Sequence, residues 1–134
     1  MGEEQIQAAQ VQSSPKMVFE RMIEAANRHD LDAMVACFAP NFRSEQPFYP
    51  ERNFTGQAGV RKNWSFFFST MPDFRAEVQS SVVDGEGETV WAEMAYYGTQ
   101  TDGKKHVTRG VSISGIQGEQ IAWAKLYIVT AVEP

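Results

Sequence analysis

The hydrophobic period of this chain changes once, near Pro72-Asp73, and that change limits what it can fold into. Before it, apolar residues recur at helical spacing. Val18, Phe19, Met22, Ile23 and Ala26 form one face behind Ser14-Pro15, an N-cap followed by a proline at the first helical position. Asp30 caps a second helix with Leu31, Met34, Val35 and Phe38 inside, and Pro40 is expected to end it. Residues 41–47 read as a short strand with Phe42, Ser44 and Gln46 on one side, and residues 47–53 as a loop. Thr55-Gly56 opens a third helix carrying Val60, Trp64, Phe67, Phe68 and Met71. After Pro72-Asp73 the period is two: residues 74–83, 89–99, 106–116 and 120–132 read as strands. Asp84-Gly85-Glu86-Gly87, Thr101-Asp102-Gly103-Lys104 and Gln117-Gly118-Glu119 separate them as turns. The predicted fold is α+β, with about three N-terminal helices on a curved antiparallel sheet of four or five strands, connected as a meander.

The 134 residues fit one domain, and 43% hydrophobic content is enough to fill one core. Residues 1–13 are rich in Gln and Glu and read as a disordered tail, which leaves 14–134 as the domain. Cys37 is the single cysteine, so no internal disulfide forms and a cytoplasmic setting is expected. The N-terminal residues have neither the basic start nor the apolar run of a signal peptide, and no stretch approaches a membrane span. A formal charge of -5 argues against nucleic acid as a partner. Two separated histidines, one cysteine and scattered carboxylates give no metal spacing, and no phosphate-binding glycine loop is present, so neither metal nor cofactor is expected.

Several short motifs, in this order, resemble the SnoaL-like branch of the nuclear transport factor two-like superfamily. They are Asn27-Arg28-His29-Asp30-Leu31, Phe38-Ala39-Pro40-Asn41-Phe42, Phe54-Thr55-Gly56 and Pro72-Asp73-Phe74. Gly98 with Asp102-Gly103, and Gly118-Glu119-Gln120-Ile121 leading to Leu126-Tyr127, complete the set. The resemblance runs from about Pro15 to the end. It implies a cone-shaped α+β barrel with a pocket between helices and sheet, usually dimeric through the sheet. It does not imply one activity, because the superfamily holds isomerases, cyclases, epoxide hydrolases, dehydratases and binding proteins.

Aligned on the ketosteroid isomerase pattern, the base position is Gln46, in the frame Glu45-Gln46-Pro47, and an amide is no base near neutral pH. The oxyanion positions fall on Ser112 and Met22, and the carboxylate position of limonene-type epoxide hydrolases falls on Leu126. The carboxylates of both chemistries are therefore absent. If strand parity follows these relatives, the pocket is lined by Met22, Phe42, Ser44, Trp64, Phe67, Met94, Ser114 and Leu126, with Gln46, Tyr96 and Ser112 as neutral hydrogen-bonding groups for positioning catalysis. The same apolar set also describes a filled core.

The opposite face reads Trp91, Tyr97, Trp123 and Tyr127 among Glu93, Arg109 and Lys125, the makeup of a homodimer surface. A one-residue slip would turn Glu93, Arg109 and Lys125 inward as an alternative acid–base set. His29 reads as a helix-end dipole partner and His106 as a group at the pocket rim or outside it. The function these residues imply is isomerase, cyclase or lyase chemistry on an apolar cyclic or polyketide-like molecule. The alternative is a non-catalytic ligand-binding or dimerisation module.

Overall fold

The structure, a computed structural model, describes residues 13–84, 86 and 88–133. Residues 1–12, the turn glycines Gly85 and Gly87, and Pro134 lie outside it. Helix α1 spans Pro15–Asn27, α2 Leu31–Ala36 and α3 Gly56–Thr70, and strands β1 to β6 run Phe38–Glu45, Phe54–Thr55, Arg75–Val83, Thr89–Thr99, Lys105–Gln117 and Gln120–Glu133. One turn of 3-10 helix, Pro50–Arg52, lies in the loop after β1.

Helix α1 starts where the sequence predicts. The Ser14 hydroxyl accepts the Met17 N–H at 3.2 Å, and Val18, Phe19, Met22, Ile23, Ala25 and Ala26 are buried. The helix ends on a polar clip. The Asn27 side chain donates to the Ala76 carbonyl at 3.0 Å and accepts the Ala76 N–H at 2.7 Å, so an amide side chain pairs with β3 as a neighbouring strand would. His29 then takes the left-handed conformation at φ 55° and reverses the chain. Its role is not that of a simple dipole partner. Nε2 lies 2.7 Å from the Phe74 carbonyl oxygen, so Nε2 carries the proton, and the ring stacks on Phe68 at 4.4 Å. Asp30 caps α2 by accepting the Ala33 N–H at 3.1 Å.

The strands make one six-stranded sheet in the order β2-β1-β6-β5-β4-β3. From β3 to β6 it is the expected antiparallel meander. Two features differ from the sequence reading. Phe38 and Pro40 belong to β1 instead of closing α2, and β1 pairs parallel to β6 while β2 adds a short edge strand. Pro40 is tolerated because the β1–β6 register shifts between Phe38 and Arg43, and a residue without an N–H fits such an irregularity. The Gln57 and Gln120 side chains donate to the Phe38 carbonyl at 2.8 and 3.1 Å and supply what the ladder omits there.

The sheet curves around the helices. At Gly110, φ is 153° and an added Cβ would lie 2.0 Å from the Tyr127 carbonyl oxygen, so β6 approaches the β5 backbone more closely than any side chain permits. Unpaired residues at the register shifts, near Gln79 in β3 and Ala122 in β6, add further bends. The core fills the concave side: Phe19, Met34, Val60, Phe74, Val90, Met94 and Ile121 are buried there.

Candidate functional site in the cone

Strand pairing sorts the concave face into rows. The deepest is Ser44, Ala124, Ser114 and Val90, all buried. Above it come Leu126, Ser112 and Ala92, then Ile128, Gly110, Met94 and Val78, then Thr130, Thr108, Tyr96 and Ala76. Exposure rises upward along β5 and β6. Ser112 is 2% exposed, Leu126, Ile128, Gly110 and Thr108 are half-buried, and Thr130 is exposed. The concave face is therefore least covered at the upper ends of β5 and β6. Its opposite wall is aromatic: Phe74 packs on Trp64 at 5.5 Å, Phe67 at 6.1 Å and Tyr96 at 6.1 Å. Met22 and Phe42 are buried in the same core.

Among the described residues, no carboxylate, lysine or arginine of the sheet stands on this face. Glu93, Arg109 and Lys125 all project to the convex side and are exposed. Pairing is unbroken from Thr89↔Gly115 to Thr99↔Lys105, so the slip that would turn Glu93 inward is absent. Ion pairs among the described residues lie elsewhere, and none joins these three.

Three neutral groups were expected to work together, and they do not converge. Tyr96 stands opposite Thr108 and Ser112 opposite Ala92, four residues apart along the strands or about 13 Å. Gln46 is held at the end of β1 by the loop that follows: its N–H donates to Asn53 Oδ1 at 2.7 Å, and Arg52 donates to its Oε1 at 3.5 Å. Ser112 Oγ is buried with no hydrogen-bond partner among the described residues. His106 Nε2 is buried and unpartnered in the same way. His106 shares the parity of Tyr96 and Ser112, so it faces inward beyond Tyr96, opposite Gly98. Even parity was its sequence signal, and nearness to the hairpin turn obscured it.

Burial pushes the Tyr96 phenol up to about 12, while the ring keeps partial exposure at its edge. It is a hydrogen-bond donor at every physiological pH. The unfolded chain ionises this phenol near its ordinary value of about 10, so above that pH the unfolded state has lost a proton that the folded state retains. Stability is then expected to fall between about pH 10 and 12, by up to about 2 kcal/mol, and Tyr96→Phe to remove that part of the fall. Urea unfolding of both proteins across this range checks it.

Two surface clefts lie outside the cone. One of about 640 Å³ is lined by Arg28, His29, Asp30, Leu31, Asp32 and Arg61, with Arg61 paired to Asp32 at 2.9 Å. The other, about 590 Å³, includes Arg21, Ala33, Cys37 and Glu119. Cys37 donates to the Ala33 carbonyl at 3.3 Å, and burial pushes its thiol up against the opposing pull of Arg21 and Arg28, so it is not an activated nucleophile. Neither cleft contains a buried polar atom left without a partner; the cone contains both that are found among the described residues. That imbalance makes the cone the better candidate. Among the described residues no three His, Cys, Asp or Glu side chains come together as a metal site, and no helix is long and apolar enough to cross a membrane.

The convex face also differs in detail from the sequence reading. Tyr97 lies under Arg75 at 4.6 Å, Tyr127 packs on Phe48 at 5.7 Å, and the Trp123 indole covers Gly115, where an added Cβ would meet it at 2.0 Å. Of the four aromatic residues Trp91 is the most exposed, at 45%, the other three are half-buried, and Val82, Val111 and Val129 lie exposed on the same face.

The family described as SnoaL-like domain matches residues 19–124. No curated protein matches the chain. Among solved structures, the epoxide hydrolase/cyclase-like enzyme SalBIII, with a role in pyran ring formation in the polyether salinomycin, superposes with a TM-score of 0.76 at 17% identity, over 86% of this chain and 90% of that one. RV0760c from Mycobacterium tuberculosis, in complex with estradiol-17beta-hemisuccinate, gives 0.76 at 13% identity over 86% and 94% of the two chains. A computationally designed 17-OHP binder gives 0.76 at 12% identity over 91% and 99%. At these identities the likeness is one of fold.

Proposed function

The chain belongs to the SnoaL-like domain family, and from that premise we propose that it binds a neutral, largely apolar ring compound in the cone. One observation carries this reading: the Ser112 hydroxyl is buried at the foot of an uncharged apolar face with no protein partner. Burying an unpaired hydroxyl costs free energy, and a ligand or water bonded to it offsets that cost. Two of the similar structures are described with steroid-type or other small ligands, estradiol-17beta-hemisuccinate and 17-OHP, and a third with ring formation. The reaction that fits best is isomerase, cyclase or lyase chemistry by positioning. Tyr96 donates at the mouth, Ser112 bonds at depth, and Trp64, Phe67, Met94 and Leu126 shape the walls. A cone without a charged base holds a substrate in one conformer instead of ionising it.

Calorimetric titration with methyl β-naphthoate and with β-naphthoate tests the reading. The neutral ester is expected to bind at least about ten-fold more tightly, since no cation in the cone offsets desolvation of a carboxylate. Equal or tighter binding of the acid would sink it.

The protein is also proposed to form a homodimer through the convex face, on the patch of Trp91, Val82, Val111 and Val129. Val129, 63% exposed, lies opposite Arg109 near the centre of that face. Val129→Glu is expected to give a monomer in sedimentation equilibrium without loss of thermal stability in the monomer. A wild-type protein that sediments as a monomer at high concentration would contradict this.

A further inference from the structure

We propose that the upper end of the cone is built for a hydroxyl group on the ligand, with Tyr96 donating to its oxygen and His106 Nε2 accepting its proton. This rests on the reading that the cone binds a neutral ring compound.

Tyr96 and His106 are diagonal neighbours on adjacent strands, since Tyr96 pairs with Thr108 and Gly98 with His106. Diagonal side chains on one face of a sheet lie about 7 Å apart, within reach of two ring side chains bridged by one atom of a ligand. Neither polar end has a protein hydrogen-bond partner among the described residues. Burial is the one cause acting on the Tyr96 hydroxyl, with no hydrogen bond contributing, and His106 Nε2 has none among the described residues. The nearby hydroxyls of Thr108 and Thr130 bond to each other at 2.7 Å, and neither is bonded to His106 Nε2. Gly98, opposite His106, carries no side chain of its own, and the Met71 side chain occupies that space, where an added Cβ would meet its sulfur at 2.6 Å.

The roles of the two groups differ. The phenol stays protonated and donates. The imidazole is only partly buried, and Nε2 is the nitrogen shut off from solvent. An unmet acceptor is tolerated in a protein interior better than an unmet N–H, which favours the tautomer with its hydrogen on Nδ1 and Nε2 as an acceptor. One donor beside one acceptor matches a group that accepts once and donates once. A hydroxyl does this; a ketone, ether or carboxylate does not.

The test compares β-naphthol with β-naphthyl methyl ether, which differ in that single proton, by calorimetry on the full-length protein. The naphthol is expected to bind at least ten-fold more tightly than the ether. His106→Phe should reduce that advantage to two-fold or less while leaving the ether's affinity unchanged. His106→Gln, which retains an acceptor, should restore part of it, and near-ultraviolet dichroism of both variants reports whether the fold is kept. Equal affinity for the two probes in wild-type protein, or an advantage that survives His106→Phe, overturns the hydroxyl assignment and leaves cone binding standing. Failure of both probes to bind overturns the two together.

Discussion

Gly110→Ala is expected to destabilise the domain by about 4 kcal/mol or more, a large share of the roughly 5–15 kcal/mol that holds a domain folded. The added methyl carbon would lie 2.0 Å from the Tyr127 carbonyl oxygen and 2.7 Å from the Ile128 Cα. Both are backbone atoms of the paired strand, so no rotamer change relieves the clash. The residue must also hold φ at 153°, which a side chain disfavours. Relief requires β5 and β6 to separate where they cross Met94 and Ile128, in the middle of the cone wall. Gly103→Ala is the contrast: its φ is also positive, at 85°, but nothing lies near its missing Cβ. A cost of about 1 kcal/mol is expected there. Urea unfolding of both variants checks the pair, and a Gly110→Ala midpoint close to that of Gly103→Ala would show that the close approach is not needed.

Asn27→Ala is expected to cost about 2–4 kcal/mol. It removes both bonds to Ala76, at 3.0 and 2.7 Å, and leaves an N–H and a carbonyl of a residue that is 6% exposed without partners. Asn27→Asp keeps the acceptor for the Ala76 N–H and loses the donor, so it should fall between wild type and alanine. β3 is an edge strand joined to β4 on its other side, and the clip is what fixes it to α1. Hydrogen exchange at the Ala76 amide, expected to speed up in Asn27→Ala well beyond its β4 neighbours, separates local release of the edge from global unfolding.

These two positions show what the sequence could and could not reveal. Helical spacing from Val18 to Ala26 and alternation after Pro72 placed α1, α3 and the strands of the meander, because each buries one face and leaves a periodic signature. Alternation also carried strand parity, so Glu93, Arg109 and Lys125 could be read as convex and Ser112 as concave before any coordinates. The start of β1 was hidden. Phe38 continues the apolar spacing of α2, and Pro40 reads as a helix terminator, while the features that make it a strand are distant: β6 alongside, and Gln57 and Gln120 reaching its carbonyls. Parallel pairing leaves no local turn signal of the kind a hairpin has. The free convex surface was legible in type but not in membership, since Arg75, Phe48 and Gly115 engage three of its aromatic residues from far along the chain. The sequence left His106 at the pocket rim or outside it, because facing inward at a strand end depends on how far the hairpin extends.

The proposed functional site is the cone and not the clefts between the helices. It is tested most directly by isotope-edited NMR of the protein saturated with methyl β-naphthoate, read for contacts between ligand and methyl groups. Contacts are expected to Leu126 and Ile128, half-buried on the concave face, and to Met94, buried beside them. Contacts confined to Leu31 and Ala33, beside the outer clefts, would contradict it.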